Sequence, residues 1–214
     1  MKRMLTFRRS VPTDLQFITE AIINAERSGR ERSLYELVFR LDELGLRKLV
    51  ADVFEEDLPD SELCLESFIV GVDEGTPVAA CAGWIEGSGM HSSNMLKSLL
   101  LQRALGAETW SRGVASLKAL EAIDIPREAG ALQIESVYVH PSYRGRKVVA
   151  AMFSELLRSA KRATPELTKA QILSMLENTS SARAFQSAGF LQVRSTRSDS
   201  PEIPKLVPGT GRIL

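Results

Sequence analysis

Three features of the sequence predict an α/β fold. Gln133 to Val139 (QIESVYV) alternates apolar and polar residues as a half-buried strand requires, then passes through a basic turn into an amphipathic helix. Gln171 to Phe190 (QILSMLENTSSARAFQSAGF) repeats the order of strand, cap and short helix. Phe68 to Val72 and Val78 to Glu86 are two apolar runs joined at Asp73, Glu74, Gly75, Thr76 and Pro77, residues that tolerate or preset turn dihedrals. Strands interleaved with helices in this way assemble into a sheet with helices packed against it.

From the amino end, Leu5 to Arg9 reads as a first strand. SVPTDLQFITEAI then reads as a helix: Pro12 suits its first turn, Asp14 complements the positive end of its dipole, and Leu15, Ile18 and Ile22 form one stripe. Ser33 to Asp57 is expected to be one long or two short helices, with Leu34, Leu37, Val38, Leu41 and Leu44 in register and Gly45 interrupting. After the hairpin, in His91 to Ala129, Met95, Leu96, Leu99, Leu100, Ala104 and Leu105 suit one helix, and Val114, Leu117, Ala119 and Leu120 a second.

The helix after Val139 is marked by Val148, Val149, Met152, Phe153, Leu156, Leu157 and Ala160. Further on, Ile172, Leu173, Met175 and Leu176 read as a strand, Asn178 or Thr179 as a helix cap, and Gly189 as a helix end. A last strand or hairpin is expected over Leu191 to Arg197 and Gly211 to Leu214, beside a loosely structured tail containing Pro201, Pro204, Pro208 and Gly209.

The turn YRGRKVV sets Arg144, Arg146 and Lys147 around Gly145, directly before a helix. The first N–H groups of a helix have no carbonyl partner inside it, so they point at whatever anion approaches. Fixed donors, a helix dipole and three cations in one place suit a diphosphate. By composition alone the same residues are a loop facing water. The strand and helix that flank the turn without a gap favour the anion site.

These residues resemble the acetyl-CoA-binding signature of the GNAT acetyltransferase superfamily, a strand ending in V-x-P followed by R-G-x-G-x-G/A and a helix. Val139, His140, Pro141, Ser142, Tyr143, Arg144, Gly145 and Arg146 match it, while Lys147 stands at the second Gly and Val149 at the Gly or Ala. A positive φ at Lys147 would cost about 1 to 2 kcal/mol, so Lys147 is expected to start the helix with ordinary α dihedrals. Downstream, Asn178, Gly189 and Phe190 match the family's N-x-x-A-x-x-x-Y-x-x-x-G-F, with Phe185 at the Tyr position.

The resemblance implies a GNAT acyl-CoA N-acyltransferase fold, with a mixed, mostly antiparallel central sheet and helices on both faces. It implies a single domain over 1–214 with helical insertions at about 27–60 and 91–129. Acetyl-CoA would be the co-substrate, bound between splayed fourth and fifth strands. Arg144, Gly145, Arg146, Lys147, Val148 and Val149 would hold its pyrophosphate, Val137, Tyr138 and Val139 would follow the pantetheine arm, and Asn178 and Phe185 would flank it. The insertion at 91–129 is either an extra layer on the sheet or against another subunit, or a wall of the acceptor site.

Acetyl transfer to an amine needs the nitrogen lone pair, yet an amine of pKa about 10 is protonated at neutral pH. A base near the nitrogen, directly or through water, removes that obstacle. Strand alternation puts Glu135 on the side of Val137 and Val139, where the family often has a catalytic Glu, and puts Tyr138 opposite. The other reading of Glu135 is a strand-edge carboxylate or the partner of a nearby cation. An oxyanion on the thioester carbonyl would be met by a backbone N–H around Val137. Phe185 has no proton for the leaving thiolate, which leaves Ser181 or water. His140, before Pro141, reads as a strand-end residue, and His91 lies within the second insertion.

The expected activity is direct N-acetyl transfer to a primary amine of a small molecule or peptide. The alternative is a non-catalytic acyl-CoA-binding or protein-interaction domain. Lys plus Arg and Asp plus Glu both number 27, a balance that argues against a nucleic-acid coat and against membrane attraction by charge. Apolar runs fall short of the roughly 20 residues that span a bilayer, and the first residues lack a leader's apolar core, so a cytoplasmic address is expected. Cys64 and Cys81 read as reduced packing thiols, no metal is expected, and the apolar insertion faces are compatible with a homodimer.

Overall fold

The computed structural model describes residues 5–56, 58–59 and 61–214. Asp57, the expected end of the second helical segment, and the opening residues 1–4 lie outside the described residues. Strands β1 (Thr6–Arg9), β2 (Phe68–Asp73), β3 (Thr76–Ile85), β4 (Leu132–Val139) and β5 (Ala170–Ile172) form one sheet in that order. Pairing is antiparallel except for the parallel β4–β5 edge, giving the expected mixed, mostly antiparallel sheet. The β2–β3 hairpin turns through Glu74 (φ 48°) and Gly75 (φ 87°), the left-handed pair that matches strand twist.

One face of the sheet carries α1 (Leu15–Arg27), α2 (Leu34–Val38), α3 (Glu43–Glu55) and part of α4 (Ser93–Ala119), around a core that includes Ile18, Ile22, Val38, Leu46, Phe68 and Trp84. The other face carries α5 (Val148–Ala163), whose Met152, Phe153 and Leu156 pack on Ile69, Cys81 and Ile134. Gly83 makes that approach possible, because a Cβ there would stand 2.7 Å from the Leu156 methyls. Cys64 and Cys81 are both buried, and burial pushes the Cys81 thiol up. Among the described residues no helix is long and apolar enough to cross a membrane.

Gly45 does not interrupt the second helical segment. It lies in the first turn of α3 and donates its N–H to Asp42 Oδ1 at 2.7 Å, so the side-chain cap at Asp42 decides where the helix starts. The break falls just upstream, with Arg40 at φ 55°, and Leu44 points to solvent. In α4 two helical stretches meet at Gly106 (φ 74°, ψ 162°), as the two apolar stripes predict. Met95, Leu99 and Val114 are nevertheless exposed, while Leu100, Leu101 and Gly113 are buried. Gly113 sets that face: a Cβ there would fall 2.3 Å from the Phe39 ring.

The strand expected over residues 172–176 is two strands. β5 ends at Ile172, and β6 (Ser174–Met175) belongs to a second sheet with β7 (Ser195–Arg197) and β8 (Gly211–Ile213), ordered β6-β8-β7. After α6 (Thr179–Ser187), the tail is not loose. Its α7 (Ile203–Leu206) buries Ile203, and Val207 follows, against Leu120 and Ile123 just past α4.

Candidate active site

Strand β4 contains one residue too many for its partner. Ala82 on β3 pairs with Glu135 and Ala80 with Tyr138, so two steps on β3 span three on β4, and Ser136 takes up the excess at φ 52°. A bulge exchanges the faces of all that follows it. Alternation had put Glu135 beside Val137 and Val139, with Tyr138 opposite. The structure corrects this: Glu135 and Tyr138 share the α1 face with Ala80 and Ala82, while Val137 and Val139 join Ile134 in the α5 core.

Beside the bulge the sheet opens. β5 pairs with β4 only from Leu132 to Ile134, so among the described residues the Glu135–Val139 edge has no strand beside it. The carboxyl end of that edge runs into the basic turn. Arg144 Nε donates to Val139 O at 3.1 Å, the Arg146 guanidinium lies 5.2 Å over the Tyr143 ring, and the Tyr143 hydroxyl bonds to Asp73 at 2.7 Å. Gly145 sits at φ 74°.

Lys147 departs from the sequence expectation, standing left-handed at φ 60°, ψ 24° as the residue before α5. The cause is the next residue. Val148 is buried in the α5 core, and seating it one step after a tight turn forces the reversal onto Lys147 despite its Cβ. Side chains of Ser33, Asp42, Ser92 and Asn178 cap α2, α3, α4 and α6. Among the described residues no side chain caps α5, so its first N–H groups are left without a capping acceptor, next in sequence to Arg144, Arg146 and Lys147, all exposed.

α6 borders the opening. Asn178 Oδ1 accepts the Ser181 N–H at 3.1 Å, and the helix closes at Gly189 (φ 96°), with Phe190 N–H bonding back to Phe185 O. The Phe185 ring lies 5.8 Å from Phe153, which ties α6 to the α5 core. Glu135, Val137, Asn178 and Phe185 line one cavity of about 480 Å³, whereas Tyr138, Val139 and the turn Arg144–Val149 lie outside its wall. Tyr138 packs instead against Phe17 of α1, ring centroids 6.0 Å apart.

The far wall of that cavity is a buried charge cluster. Glu135 pairs with Arg127, which also reaches Glu62 at 3.5 Å and stacks 5.2 Å over Trp84. Glu62, in turn, pairs with Lys97 of α4, and Lys97 lies 5.6 Å over the Tyr35 ring. Burial, with Glu135 beside it, pushes Glu62 up to about 8. Burial acts in the same sense on Glu135, but Arg127, a hydrogen bond from Glu62 and the charge of Lys97 together outweigh it and hold Glu135 below the usual carboxylate range. The two carboxyls therefore share one proton at neutral pH.

Sequence reasoning missed Glu62, Lys97, Arg127 and Tyr35. They come from four separate segments, carry no motif, and meet only when α4 and the 120–131 segment close over the sheet. Among the described residues no group of three or more His, Cys, Asp and Glu is placed to hold a metal ion.

The sequence profile of the acetyltransferase (GNAT) family matches residues 32–190. No curated protein matches the chain. Among solved structures, it is similar to an N-acetyltransferase from Staphylococcus aureus Mu50 (TM-score 0.54, 12% identity, 89% of this chain and 92% of that one). It is also similar to the ribosomal-protein-S18-alanine N-acetyltransferase of Escherichia coli (TM-score 0.51, 12% identity, 98% and 90%). A third is the aminoglycoside acetyltransferase AAC(6')-Ib in complex with coenzyme A (TM-score 0.50, 14% identity, 98% and 91%). At these identities the likeness is one of fold.

Proposed function

The chain belongs to the acetyltransferase (GNAT) family, and from that premise we propose that it is an N-acetyltransferase, moving acetyl directly from acetyl-CoA to a primary amine. The observation that carries this is the opened edge of β4, continuous with the uncapped start of α5. An amide-bearing arm needs a strand edge to pair with, and a diphosphate needs uncapped N–H groups with cations beside them. Both are present in the right order along the chain. The neighbour with coenzyme A bound has the same fold, which supports the choice of donor.

In this reading the 1–214 chain is one domain, elaborated by helices at about 27–60 and 91–129. Arg144 to Val149 hold the diphosphate, the Val137–Val139 backbone pairs with the arm, and Asn178 and Phe185 flank it. The proton is handled by the Glu62–Glu135 pair rather than by Glu135 alone. A carboxyl pair that loses its shared proton near pH 8 is matched both to a protonated amine and to a leaving thiol of pKa about 8.5. Turnover should rise through about pH 8 as the pair becomes able to take the ammonium proton.

Calorimetry with acetyl-CoA, then thiol release across an amine panel, tests the proposal. Binding with turnover is expected, and Glu135→Gln should lower kcat while leaving acetyl-CoA affinity nearly unchanged. A specific observation favours the second reading, a non-catalytic acyl-CoA-binding or interaction domain: Glu135 is occupied by Arg127, and Phe185 replaces the family's Tyr. Binding without thiol release from any amine would select it. No binding at all would remove acetyl-CoA from both readings.

A further inference from the structure

We infer that the cavity takes a small zwitterionic amine of the α-amino acid type, its ammonium group at Glu26 and Tyr35 and its carboxylate on Arg30. The inference takes the amine acceptor from the function proposed above and assigns its class. It starts from which charges are already satisfied. Glu135 and Glu62 are committed to Arg127 and Lys97, and Asp124 lies 3.4 Å from Arg212.

Three groups that line the same cavity and are buried or half-buried are left over. Glu26, in the last turn of α1, lines the cavity and makes no side-chain hydrogen bond or ion pair among the described residues. Tyr35 is 4% exposed, and its hydroxyl has no hydrogen-bond partner among the described residues. Arg30 lines the cavity too. Among the described residues its Nη1 is buried and unpartnered, and its Nη2 reaches only the Lys205 carbonyl, at 3.5 Å.

A buried N–H or O–H without a partner forfeits free energy that a ligand of the right polarity recovers. A phenol oxygen beside an uncommitted carboxylate suits a cationic nitrogen. The free edge of a guanidinium suits a carboxylate, and binds it more strongly than a neutral oxygen. Trp110, Leu34, Leu101 and Leu117 line the cavity as well and offer apolar surface to a side chain. A polyamine fits poorly, since it has no carboxylate for Arg30 and its second cation would meet that guanidinium. The volume of about 480 Å³ lies in the range of small-molecule sites.

The test compares the common amino acids, each beside its carboxamide and its decarboxylated amine, such as leucine, leucinamide and isopentylamine. Binding is followed by Trp110 fluorescence with and without acetyl-CoA, using Trp110→Phe as the control, and acetylation by thiol release. At least one amino acid should bind about tenfold or more tightly than its amide and its amine, and Arg30→Ala should erase that margin without weakening the amide. Equal binding of acid, amide and amine throughout the panel, no binding by any acid, or a margin that survives Arg30→Ala would each overturn the inference. Selective amino-acid binding without thiol release leaves it standing and removes the transfer activity. Thiol release with amines but no preference for the acid does the reverse.

Discussion

The two faces of the sheet are built by different means. On the α5 face, Met152, Phe153 and Leu156 meet Ile69, Cys81 and Ile134 in a wholly apolar layer, and a single helix of 16 residues supplies most of it. On the α1 face the apolar core stops at Trp84, and beyond it Arg127, Glu62, Lys97 and Glu135 pair together, with the Arg127 and Glu62 side chains buried and Lys97 and Glu135 half-buried at the cavity. A packed apolar layer tolerates exchange of one side chain for another of similar volume. A buried ionic cluster does not, because deleting one member strands the charge of the next. On the proposed function, the first face supports the turn that holds the donor, and the second carries the groups that handle the proton.

Five substitutions break or sharpen that contrast. Arg127→Ala leaves Glu135 and Glu62 without their shared cation and should cost about 3 to 5 kcal/mol, a fall in Tm of roughly 10 °C or more by calorimetry. An unchanged Tm would mean that water replaces the guanidinium and that the cluster is not sealed. Glu62→Gln should lower kcat about 100-fold and flatten the rise toward pH 8. It carries a stability signature as well. A carboxyl raised from 4.5 to about 8 stabilises the fold fully below its unfolded value and loses that contribution as pH climbs through about 8. The parent should thus lose Tm relative to Glu62→Gln between roughly pH 5 and pH 8, and parallel curves would dismiss the raised carboxyl.

Gly113→Ala drives a methyl group into the Phe39 ring and should cost about 1 to 3 kcal/mol, loosening α4 and with it Lys97. The paired measurement is Gly83→Ala, which presses on the flexible Leu156 of the apolar face instead. Gly83→Ala should reduce stability without altering the pH profile, whereas Gly113→Ala should alter both. Lys147→Gly relieves a left-handed Lys and should raise stability by about 1 kcal/mol. Acetyl-CoA affinity, by calorimetry, should fall less than tenfold, since the N–H groups of α5 stay in place. A drop in Tm would show that the turn is held by the Lys side chain rather than strained by it.

The α5 face was legible because its signals are local. Hairpin, strand, basic turn and helix each announce themselves within a few residues, and Asn178 and Gly189 mark both ends of α6. What escaped depends on counting across a gap. The reversal at Ser136 is invisible to alternation, since one inserted residue leaves the apolar pattern of 133–139 intact while changing which residues share a face. Lys147 was misjudged because its dihedrals are dictated by the burial of Val148, not by its own preference. Glu62, Lys97 and Arg127 meet through three separate segments, and no window along the chain contains their encounter. The tail was misread for a like reason: its prolines suggested a loop, yet Ile203 and Val207 find Leu120 and Ile123 to cover.

The extra residue in β4 makes the sheet a partition with a doorway. Before Ser136 the strand turns its apolar side chains to one compartment and Glu135 to the other; after it, the assignment is advanced by one residue, and the neighbouring strand has already peeled away. Two reactants housed on opposite sides of a continuous sheet would never touch. On the proposed function, a donor laid along the bare edge from the α5 side and an acceptor held under α4 would meet at that threshold. Glu135, and with it the carboxyl pair, stands on the side proposed for the acceptor.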